Sequence, residues 1–323
     1  MTAHGVPTYL RLLADLYGSG VRIRNGLYER GTLKQATLKG PVISIGNLSV
    51  GGAGKTPFII LLGGMLKQRG IEFDVLSRGY GRNTQGTALV DMGGSARDFG
   101  DEPLLIAQHL GVPVVIGEDR FRAGQLAENK FGPQFHLLDD GFQHRGLARD
   151  FDIVLVTADD ADDRLIPAGR LREPLTSLRR ADAVVFTTAA SPDAFPVAGK
   201  LVWRVHRGIS ANNVPARPVV FCGIGRPQNF FVQLRLAGIQ PVAEATFRDH
   251  HAYTDRDVSD LLKLKEKSEA DGFVTTEKDE INLGNRITAL RPLTVIPVEM
   301  ELADAANAVD TMLRVVKEKR QEA

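Results

Sequence analysis

The sequence contains little that could cross-link the chain or carry it through a lipid bilayer. One cysteine, Cys222, among 323 residues excludes an intramolecular disulfide and any metal site built from several thiolates, and it suits a reducing compartment. No run of about 18 uninterrupted apolar residues occurs, so a transmembrane helix is not expected. The N-terminus lacks the basic segment, apolar core and small-residue cleavage site of a secretory leader, so secretion is not expected either. Neither sign of charge dominates: 40 Lys and Arg stand against 39 Asp and Glu, a net charge of +1, and no global attraction to nucleic acid follows. Internal repeats and low-complexity segments are also absent. What is present, 43% hydrophobic and 24% charged residues, describes a folded globular chain long enough for two domains with buried cores.

Short apolar runs alternate with longer helical patterns along the chain. "PVISIGN" (41–47), "EFDVLSRGY" (72–80), "VPVVIG" (112–117), "QFHLLDD" (134–140), "FDIVLVT" (151–157) and "ADAVVFTT" (181–188) read as strands. A helix follows the first run through about residue 69, and another starts in "GDEPLLIAQHL" (100–110). Near-continuous apolar strands separated by helices imply a mostly parallel sheet covered on both faces. "GISANNVPARP" (208–218) marks the strongest boundary, and the rhythm resumes beyond it in "VVFCGIG", "QPVAEATF", "DGFVTTEKD" and "LTVIPVEM". The expected organisation is an N-terminal segment 1–30, a phosphate-loop core 31–207, a linker 208–218 and a smaller C-terminal α/β domain 219–323.

The first forty residues differ from the rest, with Arg11, Arg22, Arg24, Arg30, Lys34 and Lys39 against Asp15 and Glu29. "PTYLRLLADLYGSGVRIRNGLY" mixes these arginines with Leu, Tyr, Val and Ile, as a segment lying on an anionic membrane surface would. Pattern alone favours a helix packed on the domain with its arginines in water, because Gly18 and Gly20 interrupt the periodicity.

"SVGGAGKT" (49–56) nearly matches the phosphate-binding loop G-x-x-x-x-G-K-[ST], between the strand and the helix such a loop requires. Glycines let backbone N–H groups curl around phosphate oxygens, and the helix N-terminus adds its positive end. The loop residues Ser49, Val50, Gly51, Gly52, Ala53, Gly54, Lys55 and Thr56 are therefore the candidates for holding ATP. Lys55 would neutralise the β- and γ-phosphates, and the Thr56 hydroxyl would ligate Mg²⁺. Ser49 replaces the first glycine of the pattern, and Gly51 and Gly52 compensate inside the loop. Asp139 and Asp140, at the end of an apolar run, supply the acid that organises the metal, with the choice between them open.

Loop and acids define a nucleoside triphosphatase or kinase and nothing finer. Three stretches narrow the field: Asp101 and Glu102 in "GDEP", Asp249, His250 and His251 in "FRDHHAYTD", and Arg170, Arg172, Arg179 and Arg180 in "PAGRLREPLTSLRR". Singly each has a plain structural reading as a helix cap, a solvated loop or a wet helix face. Together, "GNLSVGGAGKT", "LSRGYGR", "GDEP", "EDR", "LLDDGFQHR", "DRLIPAGRLREP", "RRADAVV" and "DHHAYTD" resemble the signature segments of the tetraacyldisaccharide 4′-kinase family, in order from about residue 20 to 280.

The resemblance implies an ATP- and Mg²⁺-dependent lipid kinase that phosphorylates the 4′-hydroxyl of a tetraacylated disaccharide 1-phosphate to give lipid IVA in lipid A biosynthesis. It implies peripheral work at the cytoplasmic face of the bacterial inner membrane, which makes an interfacial role for residues 1–30 the better reading. No nucleic acid partner is implied. The family's catalytic Asp and His match Asp101 and His250; His250 is chosen because it directly follows Asp249, with His251 one residue away. Basic residues of the shared motifs, Arg78, Arg120, His144, Arg170 and Arg172, are candidates for holding the substrate. With Asp101 assigned to the first unit and His250 to the second, closure of the two units is expected to assemble the pair. The rival readings are a switch ATPase, a kinase of a small soluble sugar and a non-catalytic nucleotide-binding scaffold. Val50 argues against the switch class, whose deviant loop carries a lysine just before the paired glycines.

Overall fold

The computed structural model describes residues 6–187 and 190–322. Residues 1–5 of the basic N-terminal segment, and Thr188 at the end of the expected strand 181–188, lie outside them. In chain order the first elements are α1 (Thr8–Glu29), β1 (Val42–Asn47), α2 (Lys55–Gln68) and β2 (Phe73–Ser77). Next come β3 (Ala88–Leu89), α3 (Ala96–Phe99), α4 (Asp101–Leu110) and β4 (Val114–Ile116). They are followed by α5 (Arg120–Phe131), β5 (Phe135–Asp139), β6 (Phe151–Val156), β7 (Ala183–Thr187) and β8 (Leu201–Ile209). The last third holds β9 (Pro218–Cys222), α6 (Pro227–Leu236), β10 (Ala243–Thr246), α7 (Asp255–Lys267), β11 (Gly272–Thr276), α8 (Glu277–Leu283), β12 (Leu293–Ile296), β13 (Val298–Leu302) and α9 (Ala305–Glu322).

The chain forms two compact units, and the division is not a single cut at 208–218. Residues 1–77, 119–206 and 301–323 make the first unit; residues 78–118 and 207–300 make the second. The chain passes into the second unit twice, and no shift in composition marks the first passage. Asp101 is therefore in the same unit as His250, contrary to the expectation that a domain closure brings them together.

The first unit is built on strands in the order β13-β8-β7-β6-β1-β5-β2. Its pairs β1/β5, β1/β6, β2/β5, β6/β7 and β7/β8 are all parallel. All six residues of β1 and of β6 are buried, which is why these strands read as near-continuous apolar runs rather than alternations. Strand β8 alternates buried and exposed residues, Trp203 and Val205 inward and Arg204 and His206 outward, and it escaped a search for apolar runs. In the second unit β10-β9-β11-β12 form a parallel sheet, and β3 pairs antiparallel with β4. Its core gathers Phe221, Tyr253 and Phe273 with Val258 and Leu261 of α7. Cys222 is fully buried against Phe230, Phe231 and Leu234 of α6, and burial pushes its thiol up to about 12, so it stays protonated at neutral pH.

Helix α1 runs 22 residues, through Gly18 and Gly20. Its buried residues Ala14, Gly18, Val21 and Asn25 fall on one side. That side is fastened to the first unit: Tyr17 Oη donates to Arg172 O (2.9 Å), and Asn25 Nδ2 donates to Glu173 Oε2 (2.9 Å). The opposite side carries Tyr9, Leu12, Leu13, Leu16 and Ile23, with Leu12 65% and Leu16 71% exposed.

Close approach of β1 to the segment after β5 fixes one residue type. A Cβ on Gly46 would lie 2.5 Å from Phe142 Cβ and 2.9 Å from Phe142 N, and neither the backbone nor a fully buried ring can withdraw. Gly46→Ala is expected to cost about 1–3 kcal/mol through overpacking, read as a lower denaturant midpoint at unchanged slope.

Candidate active site

The phosphate loop leaves the centre of the first unit's sheet, where β1 lies between β5 and β6. Parallel strands send their carboxyl ends to one edge, where ligands bind in such sheets. Gly51, Gly52 and Gly54 have φ of 85°, 42° and 87°, a left-handed run that turns the chain from strand to helix. Gly54 caps α2, so Lys55 and Thr56 open its first turn, with Thr56 buried. A second segment braces the loop from outside: Val50 N donates to Arg170 O (2.8 Å), and Arg172 N donates to Leu48 O (2.7 Å). Asn47, at the end of β1, donates from Nδ2 to Ser49 O (2.6 Å) and accepts from Lys55 Nζ (2.9 Å). Asn47 was not singled out from the sequence, although its place eight residues before the lysine was visible.

Both expected acids sit at this edge. The register places Asp139 opposite Ile45, two residues before the loop's first anchor, Asn47. Asp139 is buried and accepts from Ser77 Oγ (2.8 Å). Asp140, with φ 50°, turns its carboxylate between Lys55 Nζ (3.3 Å) and Arg172 Nη1 (2.7 Å). Burial raises the Asp140 carboxyl, and the Lys55 and Arg172 charges outweigh it, leaving the group below the ordinary carboxylate value. A hydroxyl and two carboxylates are hard oxygen donors, and the donor set fits Mg²⁺. Among the described residues no three of His, Cys, Asp or Glu cluster to hold an ion alone.

The candidate substrate residues separate into different settings. Arg172 lies beside Asp140, whereas the Arg170 guanidinium is held by Asp163 Oδ2 (2.7 Å). Arg120 is buried in the first turn of α5, and His144 is half-buried in the turn after Asp140. Arg78 is exposed and belongs to the second unit. The remaining arginines of the run are taken up structurally: Arg180 pairs with the fully buried Glu173 (2.8 Å), and Arg179 pairs with Glu29 of α1 (2.7 Å).

In the second unit Asp101 opens α4, where a carboxylate meets unsatisfied N–H groups and the positive helix end. It is 3% exposed, and both its oxygens lie 2.9 Å from His250 Nδ1. His250 is held by a hydrogen bond from its N–H to Gly223 O (3.2 Å) and has φ 57°, an uncommon conformation for a residue with a side chain. The Tyr80 ring lies 5.3 Å from the imidazole, and Asp249 Oδ2 is 3.8 Å from Nε2. His251 faces elsewhere. It stacks on Phe247 (4.8 Å, 22°) and meets Asp257 Oδ2 through Nε2 (3.1 Å).

Burial raises the Asp101 carboxyl, but the His250 hydrogen bond, the Lys278 charge and Asn282 bring it down to about 2. The same hydrogen bond raises His250 above its ordinary value, against the pull of burial and of Lys278. Lys278 and Asn282 come from α8; nothing in "DGFVTTEKD" distinguished Lys278 from part of an ordinary strand-to-helix turn, and Asn282 lies three residues beyond that stretch. The one available signal was Thr276 three residues before Asp279, a helix cap whose acid turns out to be fully buried.

A family model described as LpxK, tetraacyldisaccharide-1-P 4′-kinase, matches residues 6–317. A tetraacyldisaccharide 4′-kinase from Koribacter versatilis is 51% identical over 319 residues, covering 96% of this chain and 99% of that protein. One from Aquifex aeolicus is 40% identical over 286 residues, covering 83% and 87%. The crystal structure of the "apo" form of LpxK from Aquifex aeolicus in complex with ATP superposes with a TM-score of 0.77 at 36% identity, covering 94% and 97%.

The Asp101–His250 pair has a defined stability signature. The Asp101 contribution is present above pH 3.8 and fades as pH falls toward 2; the His250 contribution is present below 6.5 and fades as pH rises through its raised value. The stability difference between the wild type and Asp101→Asn is therefore expected to peak between these limits in denaturant titrations run across pH.

Proposed function

Because the chain belongs to the tetraacyldisaccharide-1-phosphate 4′-kinase family, we propose that it transfers the γ-phosphoryl group of ATP to the 4′-hydroxyl of a tetraacylated disaccharide 1-phosphate, giving lipid IVA in lipid A biosynthesis. The observation that carries the residue roles is the 2.9 Å contact of His250 Nδ1 with Asp101. A sugar hydroxyl is a poor nucleophile and must lose its proton during transfer. With Nδ1 committed to the carboxylate, Nε2 is the nitrogen that takes it. Asp101 fixes the tautomer and stabilises the imidazolium that forms. The bond from O4′ to phosphorus forms as the bond from phosphorus to the β-phosphate oxygen breaks, and ADP leaves with the charge.

Lys55 and the loop amides would hold the phosphate oxygens on which that charge is spread. In the structure Asn47 and Asp140 keep the lysine at the mouth of the loop. Thr56 with Asp139 and Asp140 would hold Mg²⁺, which when bound offsets phosphate charge. Arg172, beside Asp140, is the best placed of the candidate arginines to serve the same charge.

An acceptor with four acyl chains stays in a bilayer, so the enzyme must come to it. The exposed side of α1, with Leu12, Leu13, Leu16 and Ile23 opposite its packed side, supports peripheral docking on the cytoplasmic face of the inner membrane. No helix among the described residues is long and apolar enough to cross a membrane.

Incubation with γ-labelled ATP, Mg²⁺ and tetraacyldisaccharide 1-phosphate should label the lipid, and failure to label it would refute the assignment. Lys55→Ala should abolish transfer. His250→Ala should lower kcat by about 10²–10⁴-fold, with His251→Ala far less harmful; the reverse order would reassign the base. Leu12→Ser with Leu16→Ser should leave the melting temperature unchanged and release the protein from anionic vesicles in a sedimentation assay.

A further inference from the structure

The Asp101 carboxylate is held by more than its histidine. Besides the two contacts to His250 Nδ1, Oδ1 accepts from Glu102 N (2.8 Å) and Oδ2 accepts from Asn282 Nδ2 (3.0 Å). One helical turn before Asn282, and so on the same side of α8, Lys278 sets its Nζ 2.9 Å from Glu102 Oε1. Two successive acids on α4 are thus gripped by two residues a turn apart on α8.

Helix α8 is itself fixed. Asp279, fully buried, accepts from Thr276 Oγ1 (2.6 Å), from Tyr253 Oη (2.8 Å) and from Gly223 N (2.7 Å). Tyr253 lies three residues beyond His250, and Gly223 supplies the carbonyl that accepts His250 N–H. One short helix therefore holds the residue three beyond the histidine and the segment that accepts its N–H, and also grips the acid that faces it.

Resting on the kinase reading above, we propose that Asn282 and Lys278 are positioning residues for the proton transfer: Asn282 orients the Asp101 carboxylate toward His250 Nδ1, and Lys278, partly offset by Glu102, supplies a fixed positive charge that opposes protonation of His250. The other groups facing His250 are Asp101 and Asp249, which favour its charged form, and the Tyr80 ring. Asp101 makes the imidazole a stronger base, and without a counterweight the base would be blocked by a proton already in place. Lys278 acts in that opposing direction on His250 while lowering Asp101, so the carboxylate stays ionised.

The test is the pH dependence of kcat/KM for lipid acceptor in the purified full-length chain. Loss of the Lys278 charge in Lys278→Met should move the acid limb to higher pH, and loss of the Glu102 charge in Glu102→Gln should move it to lower pH. Lys278→Arg should restore the wild-type limb. Asn282→Ala should lower kcat about tenfold with KM for ATP unchanged, the worth of one hydrogen bond to a charged group. Opposite displacements by two members of one ion pair cannot come from loosened packing, which would act alike in both. Limbs that stay put or move together, or an Asn282→Ala loss that only follows the fraction folded, would overturn the proposal. Should Lys278→Met fail to fold, the Glu102→Gln limb alone decides. A wild-type profile with no acid limb, or a limb retained in His250→Ala, would instead overturn the assignment of His250 as the base.

Discussion

A carboxylate taken out of water must have its lone pairs filled, or the charge costs more than the fold can bear. Much of what surrounds the site follows from that constraint. Asp101 is 3% exposed, and its partners come from α4, α8 and the loop after β10. Asp279 is fully buried and draws donors from three segments of the same unit. In the first unit Glu173 is buried in the same way, and by binding Asn25 and Arg180 it fixes where α1 lies. The acids are corner posts: each decides which stretches of chain must be neighbours.

The same constraint separates two kinds of arginine. Arg180 matches the fully buried Glu173 and is structural, whereas Arg170 pairs with the half-buried Asp163. Arg172 shares Asp140 with Lys55, so its partner belongs to the proposed phosphate site. On the kinase reading above, an arriving polyanion and cation would draw the lysine and the acid away from each other. The backbone that carries them is less free. Asp140 and His250, one in each unit, both adopt positive φ, a conformation kept only where the surroundings compel it.

Helix α1 shows one element answering two demands. Its packed side is polar where it meets Glu173 and small where it lies against the body of the unit, while its outward side is apolar. A helix of a monomeric soluble domain ordinarily has those sides the other way round. Leu12 and Leu16 stay exposed on a helix so tethered, and theirs is the side proposed above to meet the lipid surface.

The sequence determined by itself whatever depends on neighbours in the chain. The glycine-rich turn between β1 and α2, the buried strands and the helix start at Asp101 are local, because backbone geometry and apolar periodicity are written within a few residues. The resemblance in spaced motifs added the chemistry and picked out Asp101 and His250. Only the tertiary structure decided what those residues touch. It decided which side of α1 packs, by setting Asn25 against Glu173 across 148 residues of chain. It put Asp101 and His250, 149 residues apart, into a single unit, and it brought Asn282 across 181 residues to the same carboxylate. Such pairings leave no periodic or compositional trace, since the burial of a charge selects its partners by position in space and not by distance along the chain.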